Sequence, residues 1–161
     1  MFNGDDEQRR CQPSLRMGFR FLDEEHPMGR TAAGQGDNIA AVDTHIVMVP
    51  GPAGPVPTPL PHPFNGTITG GLSPNVTIMG RPAATVGSTA DNVPPHLPTP
   101  PGTVFQRPPT NIGTIVTGSM TVNINGKPAA RNGDTAMTCN DPADLPVGNV
   151  ITSPGTVTIG L

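Results

Sequence analysis

Val76-Thr77-Ile78-Met79-Gly80-Arg81-Pro82-Ala83-Ala84-Thr85-Val86-Gly87 and Val122-Asn123-Ile124-Asn125-Gly126-Lys127-Pro128-Ala129-Ala130-Arg131-Asn132-Gly133 are two copies of one unit. Seven of the twelve positions are identical, and Arg81/Lys127 keeps its charge. The match runs on through Thr89/Thr135 and Ala90/Ala136, at an offset of 46 residues. Repetition at a fixed offset means one small structural unit used more than once.

Within the unit, Val76 and Ile78, and again Val122 and Ile124, put a β-branched row on one face of a strand. The Gly80-Arg81-Pro82 and Gly126-Lys127-Pro128 steps break that strand, because glycine takes unusual backbone angles and proline lacks a donor. Ala83-Ala84 and Ala129-Ala130 then allow close packing before the turns at Gly87 and Gly133. A third, shorter copy, Val157-Thr158-Ile159-Gly160, closes the chain. Feeder segments begin nine or ten residues before each Val-x-Ile, at Gly66, Gly113 and Gly148. Feeder plus Val-x-Ile reads as a β-hairpin, and three of them imply approximate threefold internal symmetry.

Composition narrows the classes. Twenty Gly and 22 Pro in 161 residues, no Trp or Tyr and five Phe preclude a large aromatic core and disfavour long helices. A chain this poor in bulky apolar groups needs help from a metal or a partner surface to offset its conformational entropy. The net charge of −3 and the lack of a basic stripe leave nucleic-acid binding unsupported. No apolar run reaches membrane-span length, and the start lacks the apolar core of a signal peptide. The expected location at assembly is therefore the cytoplasm. Cys11 and Cys139 read as free or metal-bound rather than bridged.

Residues 1–35 form an expected N-terminal extension, either partly helical, on the spacing of Leu15, Phe19 and Leu22, or flexible, with His26 at its surface. Residues 36–161 form the expected main domain. Ala40–Val49 reads as a strand carrying His45. Prolines at every second position from Pro55 to Pro63 favour an extended polyproline conformation.

His45, His62, His96 and Cys139 are the candidate ligands. His45 and His96 each lie nine residues after a turn glycine, Gly36 and Gly87, and Cys139 lies six after Gly133. Equivalent positions in a pseudo-threefold object converge near one axis. Three imidazoles and a thiolate make a closed tetrahedral set that suits Zn²⁺. Spacing alone equally admits exposed loop histidines and a small buried thiol.

Gly126-Lys127-Pro128-Ala129-Ala130-Arg131-Asn132-Gly133-Asp134 resembles the signature of the PAAR (proline-alanine-alanine-arginine) repeat family, and Pro82-Ala83-Ala84-Thr85 is similar but lacks the arginine. The resemblance covers about residues 36–161 and implies a mainly β fold: a small cone of three β-hairpins with pseudo-threefold symmetry, Pro/Gly-rich loops and zinc near the tip. It also implies a function, that of a non-enzymatic spike tip in a contractile injection system, either type VI secretion or a phage-tail-like extracellular device. The implied partner is a trimeric VgrG-type β-helical spike, one tip chain per trimer, met through Val76, Ile78, Val122, Ile124, Val157 and Ile159. An effector is a further candidate partner, and contact with the target membrane is transient. The implied cofactor is Zn²⁺ on His45, His62, His96 and Cys139. On this reading the chain leaves the cell at the particle's tip on firing. The competing reading, a zinc-dependent hydrolase or toxin-bearing tip, finds no HExxH or GxSxG in the sequence.

Overall fold

Three glycine turns organise the architecture. Gly36, Gly87 and Gly133 have φ of 84°, 90° and 76°, a region that a side chain at those positions would make strained. The next residue closes each turn on itself. Asp37 Oδ2 accepts the Gly34 N–H at 2.9 Å, Ser88 Oγ that of Thr85 at 3.0 Å, and Asp134 Oδ2 that of Arg131 at 2.8 Å. The structure, a computed structural model, describes residues 29–160. The expectations for Cys11, His26 and the Leu15–Leu22 spacing lie outside the described residues.

Thirteen strands follow in chain order: β1 (Arg30–Thr31), β2 (Asn38–Val49), β3 (Val56–Gly70), β4 (Thr77–Ile78), β5 (Arg81–Pro82), β6 (Thr89–Asn92), β7 (Val104–Phe105), β8 (Ile112–Ile115), β9 (Asn123–Ile124), β10 (Lys127–Pro128), β11 (Thr135–Thr138), β12 (Leu145–Ile151) and β13 (Thr158–Ile159). There is no helix among the described residues. A strand pair leaves each glycine turn: β2–β3, β6–β8 and β11–β12, all antiparallel. The three hairpins join edge to edge through β3–β6, β8–β11 and β12–β2. The result is a closed, six-stranded, barrel-like cone with pseudo-threefold symmetry.

The same symmetry holds at the base. The Ala33 N–H donates to Ala130 O, Ala130 N–H to Ala84 O, and Ala84 N–H to Ala33 O, a cyclic ring with distances of 2.9, 3.0 and 2.9 Å. All three alanines are fully buried, so only a methyl-sized side chain fits where three backbones meet. Above them Ile39, Ile68, Ala90, Ile115, Ala136 and Val150 fill the barrel, one from each strand. Phe64 is the large side chain of this core. It fits because Gly66 and Gly113 face it: a Cβ on either would lie 2.7 or 3.0 Å from its ring.

The third repeat copy is discontinuous. β13 pairs with β1 (Arg30↔Ile159, Thr31↔Thr158), as β4 does with β5 and β9 with β10. Ala32-Ala33 then takes the place of Ala83-Ala84 and Ala129-Ala130, so residues 30–35 are built into the same body. The hairpin partners also differ from the sequence expectation. Val-x-Ile pairs with the Arg-Pro or Lys-Pro step that follows it, not with the feeder. Met79-Gly80 and Asn125-Gly126 have positive φ at both positions, as a two-residue type I′ turn requires, and so fold the chain back at once. The feeders instead become the return strands of the barrel hairpins.

β3 corrects the polyproline expectation for its part of the segment. It pairs with β2 over twelve consecutive residues, from Asn38↔Thr67 to Val49↔Val56. Backbone groups along an antiparallel strand alternate between its two edges. Pro63 O accepts from His96 Nε2 and Asn65 N–H donates to Asn92 Oδ1, both away from β2. Pro57, Pro59 and Pro61 share that parity. Their missing N–H groups fall on the free edge, where proline is compatible with a strand. The ribbon β2–β3 thus projects beyond the barrel with an edge that offers no donors at its prolines.

Candidate metal centre

From Ile39 in the barrel to His45 is six residues of β2, a rise of about 20 Å toward the narrow end. Asp43 and His45 stand two apart on the inward face of this strand, and both are fully buried. His96 follows β6 and Cys139 follows β11. Each of the three hairpins therefore sends the continuation of its first strand to the axis. His45 Nε2 and His96 Nδ1 are 3.0 Å apart, and Cys139 Sγ lies 3.9 and 3.8 Å from them. Asp43 Oδ2 lies 3.3 Å from the sulfur. One donor atom from each of these four residues falls within 4.8 Å of all the others.

The hydrogen bonds around the cluster decide where its lone pairs point. His96 Nε2 is 3.0 Å from Pro63 O, which can only accept, so Nε2 carries the proton and Nδ1 turns a lone pair to the centre. His45 Nδ1 is 3.4 Å from Asp141 Oδ2 and finds no hydrogen bond of good geometry among the described residues. A carboxylate there favours the Nδ1–H tautomer and leaves the Nε2 lone pair facing His96. Two lone pairs 3.0 Å apart repel unless a cation, or a proton carried by one of the two nitrogens, lies between them. A tetrahedral Zn²⁺-sized ion would need about 3.3 Å between nitrogens and about 3.6 Å between nitrogen and sulfur, close to the separations present.

Electrostatics agrees. Burial, then the neighbouring His96, hold His45 below the ordinary imidazole value, partly opposed by Asp141. Burial lowers His96 as well, opposed by the Pro63 carbonyl and Asp43. Burial and then the Asp43 carboxylate push the Cys139 thiol up to about 11. Neutral imidazoles are ready ligands. The thiol keeps its proton until a cation of higher charge displaces it. The donor set fits a metal ion and can hold one.

His62 sits differently. Its ring is buried, 5.2 Å from that of His45 and 5.6 Å from that of His96. However, its Nδ1 donates to Leu60 O and its Nε2 accepts from Thr99 Oγ1, both at 2.9 Å. Both nitrogens are committed away from the cluster, and Asp43, its cross-strand partner on β2, supplies the fourth donor atom. Sequence reasoning missed Asp43; the available signal was Asp43-x-His45 on one strand face.

The other singled-out residues divide by burial. Ile78, Ile124 and Ile159 pack inward against Ala32, Ala83 and Ala129 at the base. Val76, Val122 and Val157 are 36 %, 37 % and 39 % exposed. Arg131 is buried and grips its own turn: Nη2 donates to Asp134 Oδ1 at 3.0 Å, and Nη1 to Gly160 O at 2.7 Å. Arg81 reaches from the neighbouring unit to Asp37 Oδ1 at 3.0 Å. Lys127 is exposed. Among the described residues no helix is long and apolar enough to cross a membrane. A family model described as "PAAR motif" matches residues 60–134 and again 105–161. No curated protein matches the chain.

Proposed function

The chain belongs to the PAAR-motif family, whose members are structural spike-tip proteins of contractile injection systems, and on that premise we propose that it caps a trimeric VgrG-type spike and leads it through the target envelope. The observation that carries this reading is the base. Three similar corners, each with a half-exposed valine over a buried isoleucine, surround the cyclic Ala33–Ala130–Ala84 ring. A single chain with three such corners matches a homotrimer at one tip per trimer. Apolar contact from Val76, Val122 and Val157, backed by the isoleucines, would cover the spike's end and shield its strand edges.

The proposed metal is Zn²⁺, held by His45, His96 and Cys139. In the described geometry Asp43 provides the fourth donor; His62 would do so after its ring turns out of its two hydrogen bonds. Either way the donors are buried and four in number, which suits a structural ion with no open position for water and supports a non-enzymatic role. The metal supplies folding energy at a narrow end that has little volume for an apolar core. The tip is assembled in the cytoplasm, leaves with the particle on firing and touches the target membrane only in passing.

Native mass spectrometry of the tip bound to its spike tests the assembly. One tip chain per spike trimer is expected, and a triple exchange of Val76, Val122 and Val157 for Asp should abolish the complex while leaving the tip folded. Three tip chains per trimer, or binding unaffected by the triple exchange, would refute it. Metal analysis of the purified chain should find one zinc per chain.

A further inference from the structure

Asp141 and Arg107 lie outside the four-donor cluster, and the repeat does not account for either. The Asp141 side chain is only 3 % exposed, which is costly for a carboxylate unless its oxygens are satisfied. They are. Oδ2 accepts the Ile46 N–H at 2.9 Å, and Oδ1 accepts from Arg107 Nε at 3.0 Å. Arg107 also donates to Asn140 O at 2.6 Å, so it clamps the segment that follows Cys139. The Asp141 N–H returns to Thr44 O at 2.9 Å. The segment is thereby stitched along the β2 edge on either side of His45, and Asp141 Oδ2 comes to rest 3.4 Å from His45 Nδ1.

That nitrogen is fully buried and has no other partner among the described residues. The two cluster histidines are therefore oriented by different means: His96 by a backbone carbonyl, His45 by a side chain alone. We propose that Asp141, held in place by Arg107, is a positioning residue that fixes the His45 tautomer and so sets how tightly the cluster keeps its metal. The chain of contact is Arg107–Asp141–His45–cluster, a carboxylate behind a ligand imidazole. Such outer partners fix ring orientation and raise ligand basicity. The inference rests on the reading of the cluster as a metal site. A cleft of about 320 Å³ lined by Ile46, Gln106, Arg107, Asp141 and Pro142 opens onto the pair from outside, so it can be altered without entering the barrel core.

The test uses the full chain with Asp141→Ala, Asp141→Asn, Arg107→Ala and, as control, Asp144→Ala. Asp144 pairs with Arg107 at 3.6 Å at the surface. Two quantities are measured: zinc affinity by competition with a chromophoric chelator, and the His45 tautomer in the metal-free protein by long-range ¹H–¹⁵N correlation. Asp141→Ala should weaken zinc binding about 10- to 100-fold and shift His45 from Nδ1–H toward Nε2–H. Arg107→Ala should move both in the same direction by less, and Asp144→Ala should leave both unchanged. If Asp141→Ala does not fold, Asp141→Asn carries the test, with a loss of at least threefold expected. Zinc affinity within threefold of the parent with an unchanged tautomer would overturn the proposal. If the parent itself takes up no metal, the metal reading fails, while the tautomer still reports whether Asp141 governs His45.

Discussion

Arg131→Ala is the sharpest probe of why a cation stands in this turn. The Arg131 side chain is 8 % exposed and its partner Asp134 2 %. Three of its donated bonds go to Asp134 and two to the carbonyls of Gly160 and Gly118. One of the three comes from its backbone N–H and survives truncation. Removing the guanidinium leaves a buried carboxylate that keeps this N–H and a long contact, 3.4 Å, to the half-exposed Arg30. It also leaves Gly160 O without that donor beside β13, the strand that completes the third corner. Breaking one side of a buried pair costs about 3–5 kcal/mol, and the remaining Arg30 contact places this case near the lower end. For a domain of this size the melting temperature should fall by roughly 6–12 °C. The assay is urea unfolding of the metal-free chain, run as a double-mutant cycle with Asp134→Asn. Asp134→Asn in the Arg131→Ala background should restore part of the loss, because the uncompensated charge is then gone. A loss below about 1 kcal/mol, or strict additivity of the two exchanges, would refute the reasoning and return Arg131 to the rank of an exposed ion pair.

Three further outcomes follow from the packing and the site. Gly113→Ala should destabilise by about 1–3 kcal/mol, because the new methyl would lie 3.0 Å from the Phe64 ring in a closed barrel; a paired Phe64→Leu exchange should recover part of it in the same unfolding assay. The pH profile of the metal-free chain should be a dome. His45 and His96 are held below 6.5 in the fold, so the unfolded chain binds their protons first and stability falls as pH drops below about 6.5. Cys139 is raised from 9.0 to about 11, so the unfolded chain ionises first and stability falls as pH rises from 9.0 toward 11; a urea midpoint that stays flat over this whole range would contradict both signs. Replacing Pro57, Pro59 and Pro61 together by Val should restore N–H donors along the free edge of β3 and make the chain self-associate, as sedimentation and thioflavin binding would show; a variant that stays monomeric would remove the protective role assigned to those prolines.

How much of this was legible beforehand varies by residue. The repeat, its turns at Gly87 and Gly133 and the threefold expectation came from identities at a fixed offset, because a local unit that closes on its own backbone must keep its glycine and its alanines. The third unit was only half legible. Val157-Thr158-Ile159 was visible, but its Ala32-Ala33 half lies at the other end of the described chain, with Thr31 where the other copies have proline. The pattern Ala-Ala-x-x-Gly followed by Asp or Ser, read as a turn closed by its own side chain, was the available signal. Strand partners were misread because feeder and Val-x-Ile are both short β-branched runs, and only the two positive φ values at Met79-Gly80 and Asn125-Gly126 settle which strand folds back on which.

At the site, distance beyond a turn glycine marked His45, His96 and Cys139 only as candidates, since spacing alone equally fits exposed loop histidines and a buried thiol; the fold brings their donor atoms within 4.8 Å of one another. Asp141 and the orientation of the His62 ring could not be read from the sequence, and Asp43 was visible only as a strand-face neighbour of His45. A carboxylate or an imidazole acquires its role from the neighbours the fold brings to it, and these can be distant in the chain: 96 residues separate Asp43 from Cys139, 95 separate Ile46 from Asp141 and 37 separate His62 from Thr99. Local order along the polypeptide therefore determined the repeating units, their turns and the number of lobes. The closing of three lobes into one ring, and with it which lone pairs meet at the axis, was decided only by tertiary structure, because hydrogen-bond direction and burial are properties of the assembled neighbourhood rather than of any segment.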